Sequence, residues 1–209
     1  MNIGVIGATG KAGSAIVKEA KNRGHHVTAI VRRTANVTDV PVIQKDIFDL
    51  SAADLQAFDI VVNAFGAAPG EEHKHVEAGR KLIAALQGAP DTKLVVVGGA
   101  GSLFTDESKT TRVFETPDFP AAYLPTAQNQ GENLEDLQKS DGIQWTFISP
   151  AAFFDPEGPR TGDYQAAGDV LTVNSDGQSY ISYADFAMAL VDEIEQPKHI
   201  NKRFSVVSK

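Results

Sequence analysis

The sequence predicts an α/β fold, a doubly wound parallel sheet between two layers of helices. Three observations carry that expectation. Short apolar runs alternate with segments of helical periodicity from the first residues onward. Those runs are apolar at nearly every position, as strands are when helices cover both faces of a parallel sheet. A glycine-rich turn between Gly7 and Gly13 separates the first apolar run from the first helical segment.

The elements follow in order. Strands are expected at residues 3–6, 27–31, 42–44, 60–63, 94–97 and 145–148. Helices are expected at 11–23, 52–58, 71–86 and 126–139. The first helix closes on Lys21, Arg23 and Gly24, basic residues in the last turn followed by a glycine stop. The pattern changes after Ile148. Residues 149–169, rich in Pro, Gly, Asp and aromatics, read as a long structured loop. A short strand is expected at 170–173 and a closing strand at 204–207. Between them, 183–195 puts Tyr183, Phe186, Ala187, Leu190 and Ile194 on one helical face. No repeat or linker interrupts the chain, so residues 1–209 are expected to form one domain, with 150–209 as a small C-terminal cap.

Composition removes several classes of function. With 42% apolar and 22% charged residues the chain is of ordinary globular type, not a disordered one. Lys plus Arg number 19 and Asp plus Glu 27, a net charge of −8, and no basic cluster is present, which argues against direct binding to nucleic acid. The absence of cysteine removes disulfides, a thiolate nucleophile and cysteine metal sites. Apolar runs such as 94–97 are far shorter than the roughly 20 residues a membrane helix needs. The N-terminus shows no basic flank leading into an apolar stretch, so a cytoplasmic location is expected. Asn36-Val-Thr38 fits a glycosylation sequence, which has no meaning without secretion.

The strongest motif is Gly7-Ala8-Thr9-Gly10-Lys11-Ala12-Gly13, between a strand and a helix. A glycine turn there lets backbone amides approach a pyrophosphate, and the helix offers unpaired N–H groups and the positive end of its dipole. Gly7 suits the tight turn, Gly10 the approach of phosphate, and Gly13 the packing of helix on strand. The turn does not end as a nucleoside triphosphate loop does, because Ala12, not Ser or Thr, follows Lys11. The second strand runs into Arg32-Arg33 where an NAD site carries an acidic residue. Two guanidinium groups suit a ribose 2′-phosphate, so NADP(H) is favoured over NAD(H); they also fit solvated surface residues. Asp46-Ile47 follows the third strand, either as an adenine contact or as a turn cap. Asn63-Ala64-Phe65-Gly66 and Gly98-Gly99-Ala100-Gly101-Ser102 end the fourth and fifth strands, where ligands of such sheets bind.

Together these residues resemble the atypical short-chain dehydrogenase/reductase superfamily. Within it the chain is similar to NADH-flavin reductases, related to biliverdin/flavin reductases and NmrA-like proteins. The matching stretches are residues 5–14, 30–33, 46–47, 95–102, 149–155 and 179–185, spread over nearly the whole chain. The resemblance implies a Rossmann strand order. It also implies that Pro150, Ala151, Ala152 and Phe153 lie beside the nicotinamide and that the following segment caps the substrate side.

One departure bears on mechanism. Members of the superfamily carry Tyr-x-x-x-Lys with a serine upstream, in which tyrosine moves a proton and lysine lowers its pKa. Here the best tyrosine is Tyr123, the lysine position holds Ala127, and Ser102 lies 21 residues upstream of Tyr123. Pro125 prevents a helix from running cleanly through Tyr123. Ser102 and Tyr123 thus stand as candidate catalytic residues beside the plainer reading that Tyr123 packs at a loop edge.

A flavin or quinone accepts hydride on a ring already prepared for it and takes its proton from water, whereas an unactivated ketone needs more help. The missing lysine therefore favours an NAD(P)H-dependent reductase acting on a small flavin-like or quinone-like acceptor. Phe104, Phe119, Phe153 and Phe154 offer an apolar wall or ordinary packing. The alternative is a non-catalytic NmrA-like sensor of NADP(H) acting through a protein partner. A nucleotide-sugar epimerase or dehydratase fits less well, and homo-oligomerisation stays open. No metal is expected. His73 and His75, two apart on a helix beside Glu71 and Glu72, point to different faces and read as a solvated helix start. Asp106 and Glu107 read as solvent-facing, and no Gly-x-Ser-x-Gly elbow exists for a hydrolase.

Overall fold

The computed structural model describes residues 1–34, 37 and 39–209; Asn36 and Thr38 of the glycosylation sequence lie outside the described residues. Chain order runs β1 (Asn2–Ile6), α1 (Lys11–Asn22), β2 (His26–Val31), β3 (Val42–Gln44), α2 (Ala52–Leu55), β4 (Ile60–Asn63), α3 (Lys74–Gln87), β5 (Lys93–Val97), α4 (Leu124–Lys139), β6 (Trp145–Ser149), β7 (Phe153–Asp155), β8 (Gln165–Ala167), β9 (Tyr180–Ser182), α5 (Tyr183–Glu195) and β10 (Lys202–Val207). The main sheet has the order β3-β2-β1-β4-β5-β6-β10-β8, and β7 pairs with β9 in a separate ribbon. Every neighbouring pair in the main sheet is parallel except β10 with β8.

Alternation within the apolar strands explains the two helical layers. Ile3 and Val5 of β1 enter a core shared with Ile16 and Ala20 of α1 and Phe186 and Leu190 of α5. Ile6 points the other way, into a core with Leu82 and Leu86 of α3 and Leu134 and Leu137 of α4. Each fully buried Ile, Val, Leu or Phe among them contributes about 1.5–3 kcal/mol relative to exposure.

The strand order reverses at β1. The chain lays β2 and β3 on one side of it, then returns to lay β4, β5 and β6 on the other. The carboxyl ends of β1 and β4, paired through Ile6 and Asn63, therefore flank the crevice where ligands bind in such sheets.

Some expectations change. Residues 170–173 form no strand; Val170 makes a single bridge to Phe104, and the antiparallel edge is supplied earlier, by β8. The loop expected at 149–169 contains β7 and β8. The helix expected at 52–58 stops after Leu55, which frees Phe58 to enter the core beneath β1. The segment expected as a cap divides. α5 and β10 belong to the helical layer and the central sheet, and of residues 150–209 only 150–154 and Tyr183, the first residue of α5, line the cleft. Among the described residues no helix is long and apolar enough to cross a membrane.

Candidate functional site

A single cleft of about 1390 Å³ runs along the carboxyl ends of β1, β2, β4, β5 and β6. Its floor is the glycine turn. Gly7 holds φ +74°, and a Cβ on it would lie 2.3 Å from the Ala64 carbonyl oxygen, so the turn and the end of β4 are pressed together. A Cβ on Gly13 would lie 2.1 Å from the Gly7 oxygen, so Gly13 brings α1 down onto the turn. Gly10 differs: a Cβ there would meet only the Gly7 oxygen, at 3.3 Å, with open space in front. Gly10 is the N-cap of α1; no side chain caps that end, and no acidic residue occupies the first turn. Unpaired amides and the positive dipole end thus face the cleft, an anion site with room for a pyrophosphate.

The cations gather at one end. Lys11, Arg32, Arg33 and Lys45 line the cleft. Lys45 is held by Asp54 at 2.9 and 2.8 Å. That bond, then the Ser51 amide, draws the Asp54 carboxyl down to about 2. Among the described residues Lys11, Arg32 and Arg33 have no carboxylate partner within 4 Å. Asp46 and Ile47 lie beside them, with one Asp46 oxygen accepting the Phe48 amide at 3.1 Å as a turn cap. Ala64, Phe65 and Gly66 form the adjoining wall. These residues fit a phosphorylated dinucleotide: small side chains where backbone approaches, amides for a pyrophosphate, guanidinium groups for a further phosphate.

The other end is built by Gly98, Gly99 and Gly101 after β5, by the segment from Val113 to Pro120, by α4 and by Pro150, Ala151, Ala152 and Phe153. A Cβ on Gly99 would lie 2.3 Å from the Gln130 Oε1, and one on Gly101 2.6 Å from the Ala127 Cβ, so α4 rests directly on this turn. Tyr123 lies at the N-cap of α4, 66% exposed at the mouth, with Pro125 in the first turn. Phe153 is 60% exposed, backed by Tyr180 at 5.4 Å between ring centroids. Ser179 fixes this wall, its hydroxyl accepting the Ala152 amide and its carbonyl the Phe153 amide. Asp185, behind it, accepts from the Thr161 and Gly162 amides and the Thr161 hydroxyl, fastening the loop beyond β7.

Several expected site residues stand elsewhere. Ser102 is 2% exposed and does not line the cleft; its hydroxyl accepts from Arg203 Nη1 at 3.0 Å. Arg203 also donates to the Ser149 hydroxyl, the Ser102 carbonyl and Asp169, binding the turn after β5 to the end of β6. The serine expected beside Tyr123 is thus a structural ligand of a buried arginine. Asn63 is buried, and its Oδ1 accepts the Phe65 amide at 3.0 Å, shaping the turn instead of lining the cleft. Ala8 and Gly13 also sit behind the lining and act through packing. Phe104 lies outside the cleft, under the Arg112 guanidinium at 5.5 Å. Phe119, Phe153 and Phe154 do line it, Phe154 lying 3.8 Å from the Tyr183 ring.

Two groups escaped sequence reasoning. His75, expected in solvent, is half-buried and lines the cleft edge-on to Phe65, 5.6 Å between ring centroids. Burial holds its pKa below the ordinary histidine value. His73, two residues earlier, is exposed beside Glu77, and no metal-binding group of three ligands exists among the described residues. The second group is a face of α4. Tyr123, Thr126, Ala127 and Gln130 all line the cleft, at i, i+3, i+4 and i+7.

The comparisons with known proteins agree with this geometry. A family model described as NAD(P)H-binding matches residues 7–197. YwnB of Bacillus subtilis, described as uncharacterised, is 64% identical over 210 residues, covering 100% of this chain and 99% of its own. The crystal structure of a Streptococcus pneumoniae protein named as a candidate NADH-flavin reductase is similar with a TM-score of 0.96 and 47% identity, over 100% of both chains. A Bacteroides thetaiotaomicron structure named as a candidate epimerase is similar with a TM-score of 0.86 and 33% identity, over 99% of this chain and 96% of that one.

Proposed function

The chain belongs to the NAD(P)H-binding family, and on that premise we propose that it is an NADP(H)-preferring reductase that passes a hydride to a planar, electron-poor acceptor of the flavin or quinone kind. One observation carries the reading. A continuous cleft joins the uncapped N-terminus of α1 and its cations to an aromatic end where α4 presents Ala127 in place of a lysine.

When bound, the reduced nicotinamide supplies the hydride, and overall NAD(P)H, acceptor and one proton give NAD(P)⁺ and the dihydro-acceptor. The chain's own residues bind and orient. The turn around Gly10 receives the pyrophosphate, and Arg32 and Arg33 receive the 2′-phosphate as paired forks. Pro150 to Phe153 and Phe119 shape the apolar space for the acceptor ring. Water at the open mouth beside Tyr123 supplies the proton, so the positions of Ser102 and Ala127 cost the reaction nothing.

Steady-state oxidation of NADPH with riboflavin, with FMN (flavin mononucleotide) and with small quinones tests this. Turnover with at least one of them, scaling with enzyme, is expected; NADPH binding without turnover on any would overturn the reductase reading. Such binding would favour the second reading that Ala127 supports, a dinucleotide sensor that acts through a protein partner.

A further inference from the structure

The charges of the cleft are divided along its length. Every lysine and arginine that lines it, Lys11, Arg32, Arg33 and Lys45, comes from the segment before β4. Beyond β4 and His75, on the acceptor side, the lining carries one charged side chain, Asp118, which is exposed. Uncharged polar groups take the place of cations there. Tyr123, Thr126 and Gln130 share one face of α4, and among the described residues their side-chain polar atoms have no hydrogen-bond partner in the chain. A hydroxyl, a second hydroxyl and an amide suit the carbonyl and N–H edge of a flavin ring, or the carbonyl oxygens of a quinone. A phosphate or carboxylate asks for a charge-assisted donor, which this side does not offer.

We propose, building on the reductase reading, that the acceptor is an uncharged planar ring: a flavin without its phosphate, or a quinone without acidic substituents. An anionic tail would find no cation on the acceptor side, would meet the Asp118 carboxylate and would approach a molecule of net charge −8. The dinucleotide, itself anionic, escapes this penalty because Lys11, Arg32 and Arg33 stand at its own end and outnumber Asp46 there, Lys45 being held by Asp54.

The test varies acceptor charge at saturating NADPH, comparing riboflavin with FMN and a neutral naphthoquinone with its sulfonated counterpart. At low ionic strength kcat/KM is expected to be about tenfold higher for each neutral member, at the low end of what electrostatic steering does to association rates. Added salt narrows the gap by raising the anionic rates, because screening shortens the field. Asp118→Lys is expected to shift the riboflavin-to-FMN ratio toward FMN. Flavin fluorescence quenching on the NADP⁺-loaded protein gives a readout free of turnover, with riboflavin the tighter ligand. Equal or higher efficiency with the anionic members would overturn the inference and leave the reductase reading intact. Tighter binding of riboflavin without turnover would do the reverse. Neither binding nor turnover with any of the four would overturn the neutral-acceptor assignment.

Discussion

Gly10 and Gly13 show how two glycines of one motif can have separate physical duties. Gly10 sits at φ −72° and ψ 169°, which any residue adopts, and its Cβ position faces open space apart from the Gly7 oxygen. Gly10→Val is therefore expected to fold with little change in Tm and to weaken NADPH binding at least about 100-fold, since the side chain takes the place of phosphate. Gly13→Ala is expected to fail differently. Its Cβ would press on backbone 2.1 Å away, so a loss of about 1–3 kcal/mol in stability should be read by urea unfolding. Removing Arg32 and Arg33 together should cut the preference for NADPH over NADH about tenfold or more while leaving NADH affinity nearly unchanged, as measured by titration calorimetry. His75 gives a pH signature. Burial keeps it neutral in the folded chain to a lower pH than in the unfolded one, so the unfolded state binds the proton first. Stability is then full above the ordinary histidine pKa of about 6.5 and falls as pH drops from there through the folded value. His75→Gln should flatten that part of the stability profile, and an unchanged slope would contradict the assignment. At this scale the shape of the glycine turn and the place of Arg32 and Arg33 at the cleft were legible, because each follows directly on a strand readable from the sequence. Ser102 was not, because the partner that claims its hydroxyl, Arg203, lies 101 residues away.

Elements were legible wherever periodicity was long. The first six strands and four of the five helices stand close to their expected bounds, those helices because the 3.6-residue period persists over whole elements, whereas α2 is a single turn that ends at Leu55. The three short strands between Phe153 and Ser182 were not legible, since they lie in a stretch rich in Pro, Gly and Asp that reads as loop, whereas the equally short β3 stands in the early run of alternating strands and helices. The face of α4 was hidden because Pro125 led the helix to be expected from 126, which left Tyr123 outside it. Once Leu124 starts the helix, Tyr123, Thr126, Ala127 and Gln130 fall together. β10 carries the least expected device, a buried arginine that joins Ser102, Ser149 and Asp169 behind the cleft wall. Arg203→Met should lower stability by about 2–4 kcal/mol, because two buried hydroxyls and a half-exposed carboxylate lose their donor together. Thermal unfolding checks the size of the loss. NADPH affinity of the folded fraction checks its place, since the far wall should loosen while the glycine turn stays intact.

At the scale of the whole molecule, the reversal of strand order at β1 gathers the site. It sets the carboxyl ends of β1 and β4 side by side and leaves the uncapped N-terminus of α1 facing a crevice. The lining charges differ along that crevice, with four cations and Asp46 before β4 and Asp118 alone beyond it, and the proposed division of dinucleotide from acceptor rests on that difference. Isothermal titration of NADPH, with NADH in the same buffer, bears most directly on this division. Saturable binding of NADPH, at least about tenfold tighter than NADH, is predicted. No heat from either nucleotide would contradict the assignment of the glycine turn, and with it the cofactor end of the cleft.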